Sequence, residues 1–163
     1  TVYETMLSGH ESMGSVSSGG RYDSLASDGK HTYPGVGISL GLTRLLAPMI
    51  GKGSIAASRS VPSAVLVAVN TEDDREVSQH IARQLRSRGV PCEVAPKADK
   101  FGKQIRYADR RSIPFVWFPG SVHDGVRGDD EVKDIRSGEQ VVARADSWNP
   151  PAADLWPTVV GTW

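Results

Sequence analysis

Three features of the sequence predict an α/β fold. Ser63 to Val69, SAVLVAV, is an unbroken apolar run of the kind carried by a central strand buried on both faces. Behind it, strand-like and helix-like stretches alternate at a spacing that puts helices on the faces of a sheet. Ahead of it, Val36, Ile38 and Leu40 alternate with Gly37, Ser39 and Gly41, the period of a half-buried strand. Between the two lies Gly51 to Pro62, GKGSIAASRSVP, with the small, polar, proline-closed composition of a linker. The expected organisation is a partial sheet over residues 1–50, a linker over 51–62 and a helix-flanked sheet over 63–163.

Thr1 to Leu7 alternates as a strand, Ser8 to Ser12 is a turn, and the Gly-, Ser- and Asp-rich stretch from Ser15 to Asp23 reads as a hairpin feeding a sheet. Ser27 to His31 is a polar loop. The next strand carries Val36, Ile38 and Leu40 on one face and almost no side chain on the other. Glycine in a strand marks either a tight sheet contact or a place where a ligand comes close. After Gly41, Leu42, Leu45, Leu46 and Met49 fall at helical spacing and end near Ile50. In the second half, Asn70 or Thr71 begins a helix that reaches Arg86. Glu72, Asp73 and Asp74 fall in its first turn and basic residues at its end, the order that suits the helix macrodipole. Gly89 stops it, and Val90 to Val94 is a short strand. Lys100 to Arg111 reads as a second helix with Phe101, Ile105 and Ala108 on one face. Pro114 opens a strand from Phe115 to Phe118. Ser121 to Asp130 is a loop with room for a short helix. Glu131 to Ile135 and Gln140 to Ala143 are two strands joined at Ser137-Gly138. Asn149-Pro150-Pro151 starts a short helix whose Leu155 and Trp156 are expected to dock on the body.

The 163 residues carry 19 basic and 19 acidic side chains, a formal charge of zero. That argues against a wholesale polyanion binder and leaves room for a local basic patch. Cys92 is the single cysteine, which excludes a disulfide framework and a cysteine-based zinc site and fits a reducing, cytoplasmic setting. Beside Pro91 in a strand it reads as a buried, inert thiol. No apolar run is long enough to span a bilayer. The first residues, TVYETMLSG, are not those of a signal peptide and lack an initiating methionine, so the chain is expected to be a piece of a longer protein. His10, His31, His80 and His123 show no metal-ligand spacing and read as surface residues, and no metal site is expected.

Pro34 to Leu46, PGVGISLGLTRLL, resembles motif 3 of the class II aminoacyl-tRNA synthetases. Upstream, Gly19-Gly20-Arg21-Tyr22-Asp23 resembles the GGRYD segment of the histidyl-tRNA synthetases. The second half resembles the anticodon-binding domain that this family shares with the prolyl, threonyl and glycyl synthetases. Lys100 to Pro114, KFGKQIRYADRRSIP, and Val132 to Gln140, VKDIRSGEQ, are closest to the histidyl branch. The resemblance implies a mixed sheet flanked by helices in the second half, and in the first a remnant of an antiparallel catalytic sheet. It also implies roles. Tyr22 and Gly37 would bind histidine, Gly37 and Gly41 would floor the ATP site, and Arg44, the catalytic cation, would contact ATP at the adenine and terminal phosphate. The alternative for Tyr22 is a half-buried packing tyrosine. Ser24 and Thr43 depart from the family's usual glycine and glutamate, which bears on loop shape.

Lys97, Lys100, Lys103, Arg106, Arg110 and Arg111 cluster against Asp99 and Asp109. On a helix Lys103, Arg106 and Arg110 share a face. Such a stripe is either a solvated surface or a seat for phosphates, and Gln104 beside it either hydrogen-bonds a base or, like most surface glutamines, does nothing specific. By resemblance to the threonyl relatives, Arg136, with Lys133 nearby, would reach an anticodon base; the alternative is an ion pair at a strand end. Motif 1, the motif 2 arginine and the RGLDYY segment of the histidyl family do not occur in the chain. Activation of histidine places negative charge on the α-phosphorus that needs several preorganised cations, so the chain alone is expected to be inactive. The parent is expected to be a cytoplasmic homodimer that uses ATP and Mg2+ and binds histidine-specific tRNA, but no DNA or membrane. No cofactor is expected to stay on this piece. The alternative is a non-catalytic, synthetase-like regulatory or tRNA-sensing module. The partial sheet is expected to leave apolar area uncovered.

Overall fold

The alternating stretches form strands in the computed structural model, which describes residues 1–161. Strands β1 (Val2–Met6), β2 (Ser15–Tyr22) and β3 (Gly35–Leu40) make an antiparallel sheet in the order β1-β2-β3. The register sets Tyr3 against Gly19 and Gly19 against Ile38. Helix α1 (Leu42–Gly51) follows, so Gly51, expected to open the linker, is the helix's last residue. A short strand, β4 (Ile55–Ala57), lies within the stretch read as linker. The aliphatic row expected to be half-buried is open: Val36, Ile38 and Leu40 are 69%, 74% and 56% exposed. Period two assigns them to one face, but burial depends on what lies over that face, and among the described residues no element of this unit covers it.

Contacts divide the chain into one unit from Thr1 to Ala56 and another from Ala57 to Val160. In the second, the apolar run becomes β5 (Val65–Val67), with every side chain from Ala64 to Val69 fully buried. Around it stand α2 (Arg75–Ser87), β6 (Cys92–Val94), α3 (Phe101–Arg110) and β7 (Phe115–Phe118). Then come a hairpin of β8 (Val122–His123) and β9 (Val126–Arg127), the strands β10 (Glu131–Asp134) and β11 (Gln140–Val142), and the short α4 (Ala152–Leu155). The five-stranded sheet runs β11-β10-β7-β5-β6; β5 is parallel to β6 and β7, and β10 is antiparallel to β7 and β11. The sheet is mixed, as the resemblance implies. Ile81, Ala82 and Leu85 of α2 pack with Val65, Val67 and Trp117 on one face. Ala108 and Ile105 of α3 pack with Leu66 and Val116 on the other.

Three local expectations are corrected. Helix α2 starts at Arg75, later than Asn70 or Thr71, because the Thr71 hydroxyl accepts the Asp74 N–H at 3.2 Å and donates to the Asp74 carboxylate at 2.7 Å. That local bond closes a turn ahead of the helix, and Glu72 and Asp73 sit in the turn. The loop from Ser121 to Asp130 holds a hairpin and no helix. Asp124-Gly125 supplies two left-handed residues, at φ +50° and +76°, the pair that a tight hairpin turn needs. Asp130 anchors the hairpin's base by accepting from the Trp117 indole N–H, the Gly120 N–H and Arg127. At the far end Leu155 packs on the core, but Trp156 is 56% exposed. Trp148 takes the docking position instead, edge-on to Phe115 and Trp117 at 5.4 and 5.7 Å.

Part of the expected linker is built into the second unit. Arg59 is buried and donates to four carbonyls, those of Val61 (3.1 Å), Pro62 (2.9 Å), Asp154 (2.7 Å) and Leu155 (2.8 Å). Burial lowers its pKa, and the nearby Asp154 opposes that shift. Cys92 is buried, as expected, and desolvation pushes its thiol up to about 11. His31 and His80 are exposed and His10 is half-buried; the His123 side chain lies outside the described residues. Among the described residues no helix is long and apolar enough to cross a membrane.

Native protein at pH 8 should therefore resist alkylation of Cys92 and react fully once unfolded in denaturant, as read by mass spectrometry. Arg59→Lys should lower stability by about 2 kcal/mol in chemical denaturation, because an ammonium cannot span the four carbonyls that the planar fork reaches.

Candidate nucleic-acid interface

Helix α3 is amphipathic in the way its sequence predicts, with one exception. Lys103, Arg106 and Arg110 are exposed on one side, and Ala108 is buried on the other. Gln104 is the exception. It is 4% exposed, its Oε1 accepts the Val69 N–H at 3.0 Å, and its Nε2 donates to the carbonyls of Val69 (2.9 Å) and Asp99. The expectation that it reads a base is corrected, since its donors and acceptor are spent inside the fold. Val69 lies just beyond β5, where its peptide groups have no strand partner, and Gln104 completes them.

The cations border a cavity of about 440 Å³ whose lining includes Pro96, Lys97, Lys103, Arg106, Tyr107 and Arg110, with Asp99 and Asp109 also present. Asp99 is taken up by Lys103 at 3.2 Å. The Tyr107 ring lies under the Arg111 guanidinium at 5.1 Å; burial, followed by a hydrogen bond with Glu93, raises its pKa. Arg111 itself faces Glu93 at 3.6 Å. Among the described residues, Lys97, Arg106 and Arg110 have no hydrogen-bond or ion-pair partner within the fold. The sequence reading counted Lys97 only as part of the basic run, and it missed Pro96 and Tyr107. A signal was present: Ala95 to Asp99 follows β6 directly, and the carboxyl ends of parallel strands are where α/β sheets place ligands.

Arg136 stands apart. Its Nε and Nη2 donate to Asp134 at 3.0 and 2.7 Å, and its Nη1 and Nη2 to Asp154 at 2.7 and 2.8 Å. Its guanidinium also lies over the Phe115 ring at 5.3 Å. The two carboxylates hold its pKa well above the usual value, and its bonds hold both of theirs below the usual range. An arginine with four of its five N–H groups engaged is not poised to read a base edge, so that expectation gives way to its alternative, the ion pair. Lys133 pairs in register with Val116 and does not line the basic cavity; Arg136 lines a separate one of about 400 Å³ with Arg59 and Asp154.

In the first unit, Gly41 and Arg44 border an open cavity of about 870 Å³ together with Ser15, Ser17, Ser18 and Ser39. Arg44 Nη1 donates to the Ser15 carbonyl at 2.8 Å. Tyr22 and Gly37 meet each other elsewhere on the sheet. The Tyr22 ring lies over Gly35 and Gly37, so close that a Cβ on Gly35 would come within 2.7 Å of it. The Tyr3 hydroxyl donates to the Gly37 carbonyl at 2.9 Å. The side-chain-free strip is therefore roofed by an aromatic ring at Gly37 and open at Gly41.

A mixed five-stranded sheet with a cationic helix beside its carboxyl edge defines a class. Residues 63–147 match the family model described as an anticodon binding domain, and the chain belongs to that family. Over all 163 residues it is 74% identical to a histidine–tRNA ligase of Cutibacterium acnes, covering 100% of this chain and 36% of that protein. A histidine–tRNA ligase of Micrococcus luteus is 57% identical over 159 residues, covering 98% of this chain and 34% of the relative. The chain thus spans about a third of the length of the curated relatives it matches. The crystal structure of histidyl-tRNA synthetase from a Nostoc species is 36% identical, with a TM-score of 0.50, covering 87% of this chain and 34% of that one.

Replacing Gln104 with Ala strands the buried Val69 N–H and should cost about 1–3 kcal/mol in urea unfolding. Asp134 and Asp154 have lowered pKa values in the fold, so their contribution is present above the usual aspartate value of 3.8 and is lost as pH falls below it through their lowered values. Thermal melts should show that loss in the wild type and a shallower acid decline in Arg136→Ala.

Proposed function

We propose that the second unit binds the anticodon loop of a histidine-accepting tRNA, and that the first supplies part of the pocket in which a histidine–tRNA ligase holds histidine and ATP. The observation that carries this reading is the cationic rim of the cavity, where the Lys97, Arg106 and Arg110 side chains have no partner among the described residues, inside the segment that matches the anticodon-binding family. Loop nucleotides expose their bases and backbone together. Lys97, Lys103, Arg106 and Arg110 would neutralise phosphates, and the Pro96 and Tyr107 walls would receive a base by stacking. In the first unit, the free edge of the Arg44 guanidinium fits a nucleotide, since a planar cation can stack on a ring and hold a phosphate. Tyr22 offers an apolar shelf and a polar tip to histidine. ATP, when bound, supplies the phosphorus that histidine's carboxylate attacks, with pyrophosphate leaving. Mg2+, in this proposal, arrives on the triphosphate. The parent in this proposal is a cytoplasmic homodimer.

Fluorescence anisotropy with a labelled anticodon stem-loop tests the binding half. Four phosphate contacts at about 0.7 each predict a slope near 3 in log Kd against log salt. The triple variant K103E/R106E/R110E should abolish binding while the fold is retained by circular dichroism. Binding that is indifferent to salt and to those substitutions would overturn the proposal. Pyrophosphate exchange by this chain alone should be absent, because Arg44 is one cation where several are needed; turnover would refute that part.

A further inference from the structure

The stretch Ala95–Asp99 forms one wall of the basic cavity, and it is held from outside by side chains that are not part of the rim. Arg75, at the start of α2, donates through Nη1 to the Ala95 carbonyl at 3.0 Å and through Nη2 to the Pro96 carbonyl at 3.3 Å. The same guanidinium makes a bidentate pair with Glu72, Nε to Oε2 at 2.7 Å and Nη2 to Oε1 at 2.9 Å. Glu72 Oε1 in turn accepts the Ala98 N–H at 2.9 Å. From the other side Gln104 donates to the Asp99 carbonyl. The peptide groups before and after Lys97 are therefore fixed, while its exposed side chain lines the cavity without a partner among the described residues.

An isolated surface ion pair is worth little. This one differs because each member also carries a backbone contact to the same five-residue loop, so removing either releases the wall and not just a charge. A wall already ordered before RNA arrives spares the cost of ordering it on binding. Glu72 and Arg75 do not line the cavity themselves and reach it only through backbone groups of that wall. On this geometry, and resting on the tRNA-binding reading above, we propose that Glu72 and Arg75 are positioning residues that hold Lys97 where it can contact a phosphate of the bound anticodon loop.

The test is a double-mutant cycle on the whole chain, using the labelled anticodon stem-loop as probe. Arg75→Ala and Lys97→Ala should each weaken binding about fivefold at 0.1 M salt and lower the salt slope by about 0.7, the loss of one phosphate contact. The double variant should bind no more weakly than Lys97→Ala alone. Multiplying losses, a silent Arg75→Ala or a silent Lys97→Ala would each overturn the proposal. Should Arg75→Ala fold poorly, Glu72→Ala and Glu72→Gln take its place. Amide exchange at Ala98 should accelerate at least tenfold in Glu72→Ala and recover partly in Glu72→Gln, whose amide oxygen still accepts the N–H; unchanged exchange in Glu72→Ala would overturn the clamp. If the wild type binds no stem-loop at all, the tRNA reading fails and the positioning role falls with it. If it binds and only the cycle fails, the tRNA reading stands and the positioning role alone is lost.

Discussion

One buried carboxamide sets how the sheet and its functional helix meet. Gln104 reaches past the end of β5 and pairs with both peptide groups of Val69, so that α3 is joined to the sheet by directional bonds as well as by apolar contact. Apolar packing alone lets a helix roll; hydrogen bonds to a fixed peptide unit do not. With Gln104 and Ala108 turned inward, the 3.6-residue period leaves Lys103, Arg106 and Arg110 no orientation but outward. The cationic rim follows from the way the helix is fastened.

The chain has no net charge, yet it presents a positive surface, and the reason is how its ion pairs are allotted. Many carboxylates are committed to structural arginines: Glu72 to Arg75, Asp134 and Asp154 to Arg136, Asp146 to Arg144. Other guanidiniums go to backbone carbonyls, as Arg59 and Arg88 do. What is left unpaired on α3 and at Lys97 is then enough to define a local field. Arg136 and Arg106 are the same residue type in the same domain, and their surroundings give them opposite uses.

Much of the architecture was legible. The apolar run at Ser63–Val69, the amphipathic α3 and the Ser137-Gly138 turn each carry a short-range signal, and Gly138 takes the left-handed φ of +82° that such a turn uses. Misreadings came where a partner is distant in sequence. Gln104 looks like a surface residue because its acceptor and donor are the peptide of Val69. Arg136 has one partner, Asp134, two residues away, but the second, Asp154, which completes its engagement, is 18 residues away. Trp148 and Trp156 are equally apolar, and only the position of Phe115 and Trp117 decides which of them packs. Asp124-Gly125 carried a hairpin signal that was passed over. In the first unit, glycine spacing identified the bare strip but could not show that Tyr22 would cover half of it.

The four-carbonyl seat of Arg59 has a mechanical consequence. Its partners are Val61 and Pro62, where the chain enters the second unit, and Asp154 and Leu155, some 95 residues later, where the chain approaches that unit's end. Tension applied along the polypeptide at either place loads this guanidinium, together with the bonds between Ser58 and Thr158 just outside it. The two ends of the unit are thus tied to each other, and a pull on one margin is shared with the other.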